Sequence, residues 1–356
     1  MQLSDLGWCH HFEQHFHEYR ENNYSAMRII RENREKYIAL NDIGEFSCEV
    51  TGKFRFENND KSRFPTVGDW VAASVIADEK KAMIHAVLPR NTIVSRKVAG
   101  LTTEEQPVAA NIDIIFIITG LDLNYNLRRI ERYLSIAWES GATPVVILNK
   151  ADLCIESELR KNEVESIALG VDVLAISANN PEDIIQVSKY LQPGKTIAFL
   201  GSSGVGKSTI INSLLGSDKL KVNAVSELGS RGRHTTTFRE LIILPNGGMV
   251  IDTPGMREIQ GWGNGEGVES VFSDINDLAQ KCHFRDCNHN NEPKCAILEA
   301  LNNGSLDPKR FENYQKLKKE SEYLAARQTM KSNAIEKARW KDISKYAKEL
   351  KKNKTI

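Results

Sequence analysis

The sequence predicts a multi-domain α/β protein with a doubly wound, mostly parallel sheet at its centre. Three observations predict it. Short, nearly continuous apolar runs recur at 113–119 (DIIFIIT), 144–148 (PVVIL), 171–176, 196–200 (TIAFL) and 248–251, each of the length of a strand buried on both faces. Segments with helical spacing alternate with them, at Asn126–Glu139, Ser157–Leu169 and from Lys207 onward. Polar or glycine-bearing motifs follow the ends of these runs, and an open α/β sheet holds its ligand at the carboxyl ends of its strands.

At 356 residues the chain exceeds one ordinary domain and can build two or three cores. Lysine plus arginine equals aspartate plus glutamate at 47 each, so whole-chain charge points to no partner. Six cysteines divide into three scattered (Cys9, Cys48, Cys154) and three clustered, a pattern that suits a reducing compartment with a metal site better than a disulfide framework. With no signal peptide, no apolar run of about 18 residues and no lipidation motif, a cytoplasmic protein with no membrane partner is expected.

Residues 1–35 read as a polar, helical extension. His10, His11, His15 and His17 fall close together, and His11 and His15 share a helical face. Metal binding there competes with a solvated helix docked through Leu6, Trp8, Phe12 and Phe16, and the docked helix is the better reading.

Residues 36–100 change to short β-prone runs (YIAL, EFSCEVTG, DWVAASVI, AMIHAVL, TIVSR) separated by turn residues. Five strands in about 60 residues predict a small OB-type β-barrel. Lys53, Arg55, Lys61 and Arg63 gather around one loop with Phe54, Phe56 and Phe64 interleaved. Basic and aromatic residues mixed in this way suit RNA, with charge on phosphates and rings under bases. Core aromatics beside a solvated loop would give the same sequence.

Residues 104–260 carry the chemistry. Asn149-Lys150-Ala151-Asp152 has the form N-K-x-D after a buried strand. A carboxylate at Asp152 can accept both donors of the guanine Watson–Crick edge, a pair adenine cannot supply. Such a site could reject the wrong base by roughly 10⁴-fold. Asn149 would face the opposite edge and Lys150 lie along the base plane. Ser177-Ala178 ends the next strand and could offer a backbone N–H to the guanine oxygen.

Gly201-Ser202-Ser203-Gly204-Val205-Gly206-Lys207-Ser208 then fits G-x-x-x-x-G-K-[ST] without mismatch, at a strand-to-helix turn. Glycines let backbone N–H groups close on a phosphate while the helix N-terminus adds partial positive charge. Lys207 would reach the β and γ phosphates and Ser208 would ligate magnesium, with Thr209 beside them. Asp252-Thr253-Pro254-Gly255 is D-x-x-G, whose aspartate holds magnesium through water and whose glycine N–H senses the γ-phosphate. Between the two lies Arg233-His234-Thr235-Thr236-Thr237; one threonine, Thr236 in the favoured register, would close over the metal. The base-specificity motif precedes the phosphate loop, so this is a circularly permuted, doubly wound P-loop GTPase domain binding GTP and GDP with Mg²⁺. Many GTPases carry glutamine after D-x-x-G, and this chain has Met256. His234, Arg231, Arg233 or a group from a partner would then position the attacking water.

Residues 261–330 form a helical zinc-binding C-terminal domain on this reading. Cys282-x4-Cys287-x-His289-x5-Cys295 supplies three thiolates and an imidazole, the donor set of a closed structural Zn²⁺ site, with His283 a rival ligand. Residues 331–356 make a basic helical tail with nine lysines and arginines against three acidic residues, a local net of +6. Lys337, Lys341 and Lys345 recur on one face, as RNA phosphates or plain solvation would both favour.

GSSGVGKS, NKAD, RHTTT and DTPG in this permuted order, with a β-rich segment before and a Cys/His cluster after, resemble the RsgA (YjeQ/YloQ) family over about residues 36–330. The resemblance implies a monomeric GTP hydrolase acting in late maturation of the bacterial small ribosomal subunit and binding its rRNA. Some permuted relatives hold potassium through a phosphate-loop asparagine; Gly204 stands there, which argues against potassium dependence. A GTP-gated RNA-binding module with little catalytic role, and a GTPase serving another RNA or protein partner, are the alternatives.

Overall fold

In the computed structural model, which describes residues 1–33, 36–58, 60–97, 105–216, 239–252 and 265–326, the chain begins with a 3-10 turn at Leu3–Leu6 and helix α1 (His10–Glu21). Leu6, Phe12 and Phe16 are buried, and the Trp8 ring meets Trp70 edge-on at 4.7 Å. The helix is therefore docked through the residues that the sequence singled out. Asn23 adopts a left-handed backbone (φ 58°), as asparagine tolerates, and turns the chain into a strand.

That strand corrects the reading of residues 1–35 as wholly helical. β1 (Ser25–Asn33) joins β2 (Lys36–Leu40), β3 (Glu45–Val50), β4 (Trp70–Ile76) and β5 (Lys81–Val87) in the order β1-β2-β3-β5-β4. Pairing of β1 with β4, from Ser25 opposite Ala73 to Arg28 opposite Trp70, closes the barrel. Met27, Ile29, Tyr37, Phe46, Cys48, Val71 and Ile84 fill it. The barrel has five strands, as expected, but the fifth is β1. The TIVSR run forms β6 (Ile93–Lys97), which pairs instead with β7 (Glu105–Ala110) in a separate ribbon.

Between β3 and β4, Thr51 accepts a hydrogen bond from the Phe54 N–H and caps α2 (Gly52–Glu57), where a loop was expected. Phe54 belongs to the barrel core and meets Phe64 edge-on at 5.6 Å, whereas Phe56 is 87% exposed beside exposed Lys53 and Arg55. The core reading thus holds for Phe54 and Phe64, and Phe56 is the ring left at the surface.

β8 (Ile114–Gly120), α3 (Leu127–Glu139), β9 (Thr143–Asn149), α4 (Ser157–Ile167), β10 (Asp172–Ile176) and α5 (Pro181–Ser188) follow in strict alternation. β11 (Thr196–Gly201) then returns to the other side of β8, leading into α6 (Lys207–Leu215), and β12 (Arg239–Ile243) and β13 (Met249–Asp252) complete the order β10-β9-β8-β11-β13-β12. All are parallel except β12. Successive residues alternate faces, so Phe116 and Ile118 pack with Ile184, Val187 and Ile210, while Ile115 and Ile117 pack with Ile130, Leu134 and Val164. Burial on both faces is what made these strands uniformly apolar.

β1 also pairs with β12, Arg31 opposite Glu240 and Glu32 opposite Arg239, which fuses barrel and GTPase strands into one eleven-stranded sheet. Ion pairs reinforce the seam: Arg31 with Glu240, and Arg239 with Glu32 at 3.0 Å. Arg28 is buried beneath it and donates to the carbonyls of Leu6, Gly68 (3.3 Å) and Asn111 (3.1 Å) and to the Thr196 hydroxyl (2.8 Å). Burial pushes its pKa down to about 10, and these oxygens satisfy a charge that would otherwise be expensive to bury.

Over 265–326 the described residues form α7 (Glu266–Val271), α8 (Ser273–Ala279), α9 (Ala296–Asn302) and a helix over 308–326. Arg310 of the last helix donates to Glu131 of α3 (2.7 Å) and to Asp274 of α8 (2.7 and 3.0 Å), and Glu131, fully buried, also accepts from Arg128 and Asn313. Removing one member of such a buried set costs roughly 3–5 kcal/mol, so this cluster fixes the C-terminal helices on the GTPase sheet. No helix among the described residues is long and apolar enough to cross a membrane.

Candidate nucleotide site and metal centre

The phosphate-loop sequence occupies the turn from β11 to α6. Two glycines are dictated by close approach. A Cβ at Gly201 would lie 2.3 Å from the Ile118 carbonyl oxygen, and one at Gly206 would lie 2.1 Å from the Asn149 side-chain nitrogen. Val205 anchors the loop in the core, while Ser203 and Gly204 stand exposed at its rim. α6 begins at Lys207 with no acidic residue in its first turn, so the positive end of its dipole is uncompensated. Lys207 Nζ donates to the carbonyls of Gly201 and Ser202, both at 2.6 Å. Ser208 and Thr209 are half-buried in the same turn.

β9 ends at Asn149, 2% exposed. Its Nδ2 donates to the Val205 carbonyl at 2.8 Å, and its Oδ1 accepts from the Ala178 N–H at 2.9 Å. One side chain therefore ties N-K-x-D to the phosphate loop and to Ser-Ala. The Leu121 N–H donates to the Asn149 carbonyl, which adds the loop after β8. Lys150 turns the chain in a left-handed conformation (φ 64°), and its Nζ meets Asp122 at 2.5 Å. Burial pushes the Asp122 carboxyl up, but hydrogen bonds from Lys150 and from the Asn124 N–H outweigh it and hold the carboxyl below its ordinary range. Asp152 follows in a 3-10 turn (Ala151–Leu153) with its side chain exposed.

Ser177 and Ala178 lie where expected, but both N–H groups already have partners. Ser177 donates to Asp183 at 2.7 Å and Ala178 to Asn149. These two bonds hold the Ser-Ala turn against α5 and against the end of β9.

Asp252 ends β13, whose Ile251 is paired with Ala198 of the phosphate-loop strand. Gly255, Thr236, His234, Thr253, Pro254, Met256, Arg231 and Arg233 lie outside the described residues, as do Lys337, Lys341 and Lys345.

The second cluster is Cys282, Cys287, His289 and Cys295, with one donor atom from each within 4.8 Å of the others. Cys282 Sγ is 3.8 Å from Cys295 Sγ, and His289 Nδ1 is 3.6 and 3.4 Å from those sulfurs. Tetrahedral zinc, with Zn–S of about 2.3 Å and Zn–N of about 2.0–2.1 Å, requires S···S edges of about 3.8 Å and S···N edges of about 3.5 Å. These residues can hold a metal such as zinc. His283, the rival ligand, is not in the cluster; its ring stands edge-on to Phe284.

Sequence reasoning missed Asp122, Asp183 and Arg129, whose NH1 donates to the Ser202 hydroxyl at 2.8 Å. Asp122 had a signal, since it stands just past the carboxyl end of a buried strand. Arg129 is set by packing between elements distant in sequence, whereas Asp183 bonds the Ser177 N–H from the first turn of the next helix.

Fold and site define a circularly permuted P-loop GTPase joined to an OB-type barrel. A sequence profile of the RsgA GTPase family matches residues 87–262. The small ribosomal subunit biogenesis GTPase RsgA of Opitutus terrae is 42% identical over 352 residues, covering 96% of each chain. The protein of the same name from Methanosarcina acetivorans is 41% identical over 346 residues, covering 97% of this chain and 92% of its own. The crystal structure of YjeQ from Thermotoga maritima superposes with a TM-score of 0.63 at 28% identity, covering 84% of this chain and 98% of that one. YloQ, described as a circularly permuted GTPase, shares the fold with a TM-score of 0.58 at 24% identity over 84% of this chain and 95% of its own. The chain belongs to the RsgA GTPase family.

Asn149→Ala removes both hydrogen bonds at once and leaves the Val205 carbonyl unpaired. Its affinity for GDP is expected to fall about tenfold to a hundredfold in a fluorescent-nucleotide titration. Unchanged affinity contradicts the role of this side chain as the tie between the two halves.

Proposed function

We propose that this chain hydrolyses GTP in the biogenesis of the small ribosomal subunit, the process named in its relatives. The observation that carries the nucleotide reading is Asn149, bonded to the phosphate loop on one side and to Ser-Ala on the other. In this reading the Asp152 carboxylate accepts the two guanine donors. Lys207 leaves the loop carbonyls for the β and γ phosphates. Ser208 and Thr236 ligate magnesium, with Asp252 acting through water and the Gly255 N–H meeting the γ-phosphate. Ala151, Gly201 to Gly206 and Thr209 complete the nucleotide contacts, and Ser177-Ala178 supports them through Asn149.

The barrel, the GTPase core near 104–260, the metal-binding segment near 261–330 and the basic tail are the working divisions. Lys53 and Arg55, with exposed Phe56 next after them in the chain, form the barrel's RNA-facing group, and Lys337, Lys341 and Lys345 a second one on the tail. The protein acts as a cytoplasmic monomer, and Cys282, Cys287, His289 and Cys295 hold one structural zinc. His234 is the group proposed to orient the water that Met256 cannot.

Met256 also favours a second reading, in which bound GTP gates RNA docking and turnover matters little. GTP hydrolysis measured with and without small ribosomal subunits separates the two. Stimulation of tenfold or more, by the order of partner effects known for GTPases, supports the first. Nucleotide-dependent co-sedimentation without stimulation supports the second, and neither response contradicts both. Metal analysis of the intact protein is expected to find about one zinc per chain, and a strong chelator to lower the thermal midpoint by roughly 4–8 °C. Absence of zinc together with an unmoved midpoint rejects the zinc assignment.

A further inference from the structure

α3 begins with two adjacent arginines, Arg128 and Arg129, and no acidic residue in its first turn. The N-terminal end of a helix is already partially positive, so cations there are unfavourable unless an anion answers them. Arg128 finds two carboxylates, Glu131 at 2.5 Å and Asp307 at 2.8 Å. Arg129 finds none among the described residues. Its NH1 turns instead to the Ser202 hydroxyl at 2.8 Å, with the Asn124 carbonyl at the outer limit of 3.5 Å. Asn124 is held in turn by Asp122, the carboxylate that also takes Lys150.

Ser202 is thus gripped by two cations, Arg129 on its hydroxyl and Lys207 on its carbonyl. The second grip is temporary under the GTPase reading, on which this inference rests, because Lys207 has to leave the loop carbonyls to reach phosphate. We infer that Arg129 is a positioning residue of the phosphate loop, holding the loop entry through Ser202 and adding positive potential beside the triphosphate once Lys207 has moved. A guanidinium suits this role, since its planar fork is preorganised and it stays charged near an anion. With Met256 where many GTPases have glutamine, turnover leans more heavily on such preorganised charge and on loop geometry.

The experiment uses the full chain and compares Arg129→Ala, Arg129→Lys, Arg129→Gln, Ser202→Ala and the Arg129→Ala/Ser202→Ala double variant. It reads kcat and KM for GTP, GDP affinity and the thermal midpoint. Arg129→Ala and Ser202→Ala are each expected to lower kcat about tenfold, with KM and GDP affinity held within about twofold, and the double variant to be no worse than either single one. Arg129→Lys should recover more of the rate than Arg129→Gln, because lysine keeps the charge. Wild-type kcat in Arg129→Ala, losses that multiply in the double variant, or a rate loss matched by equal losses of GDP affinity and thermal midpoint would each overturn the inference. Wild-type protein that fails to hydrolyse GTP at all would count against the GTPase reading instead.

Discussion

Two hydrogen bonds from one buried amide hold the nucleotide site together. Asn149 ends β9, donates to Val205 in the phosphate loop and accepts from Ala178 after β10, so three segments separated by up to 56 residues meet at a single side chain. A buried amide left unpaired would cost about 1–3 kcal/mol per group, which gives each partner a reason to stay in register. Gly206 is obligatory because Asn149 occupies the space a Cβ would need. The permuted chain order changes none of this. β11 re-enters the sheet beside β8, so the loops that bear phosphate and base chemistry open at the same edge.

The second constraint lies at the seam between β1 and β12. There the barrel and the GTPase strands share backbone hydrogen bonds, crossed ion pairs and the buried guanidinium of Arg28, which reaches the N-terminal turn, the segment after β7 and β11 together. Barrel and nucleotide domain are joined by a continuous sheet. β12 also follows the threonine-rich segment in sequence, so the first described residues after that segment are the ones paired to the barrel.

Much of this was legible in the sequence because the relevant constraints are local. Strands buried on both faces must be apolar throughout, so β8, β9, β11 and β13 read directly. The phosphate loop reads because backbone closure on an anion demands glycine at fixed spacing, and the Cys/His cluster reads because its four donors fall within 14 residues. β1 did not read, for a physical reason: Ser25–Asn33 carries Arg28 and Arg31 at positions the fold uses for a buried cross-domain cation and an edge ion pair, and these break the apolar pattern. Strand partners were equally hidden, since nothing local sends Ile93–Lys97 to β7 in place of the barrel. The contacts of Asp122 and Arg129 depend on which distant elements pack together. The site's residues were named by motif, but their supports came from tertiary structure.

The central claim is that guanine and triphosphate are held in one pocket assembled from segments of reversed order. Equilibrium competition against labelled GDP tests it most directly. Unlabelled GTP should displace the label at concentrations at least a hundredfold below any at which ATP does so, since a site built to pair the guanine edge leaves buried polar groups unsatisfied with adenine. Equal displacement by ATP and GTP would contradict the account.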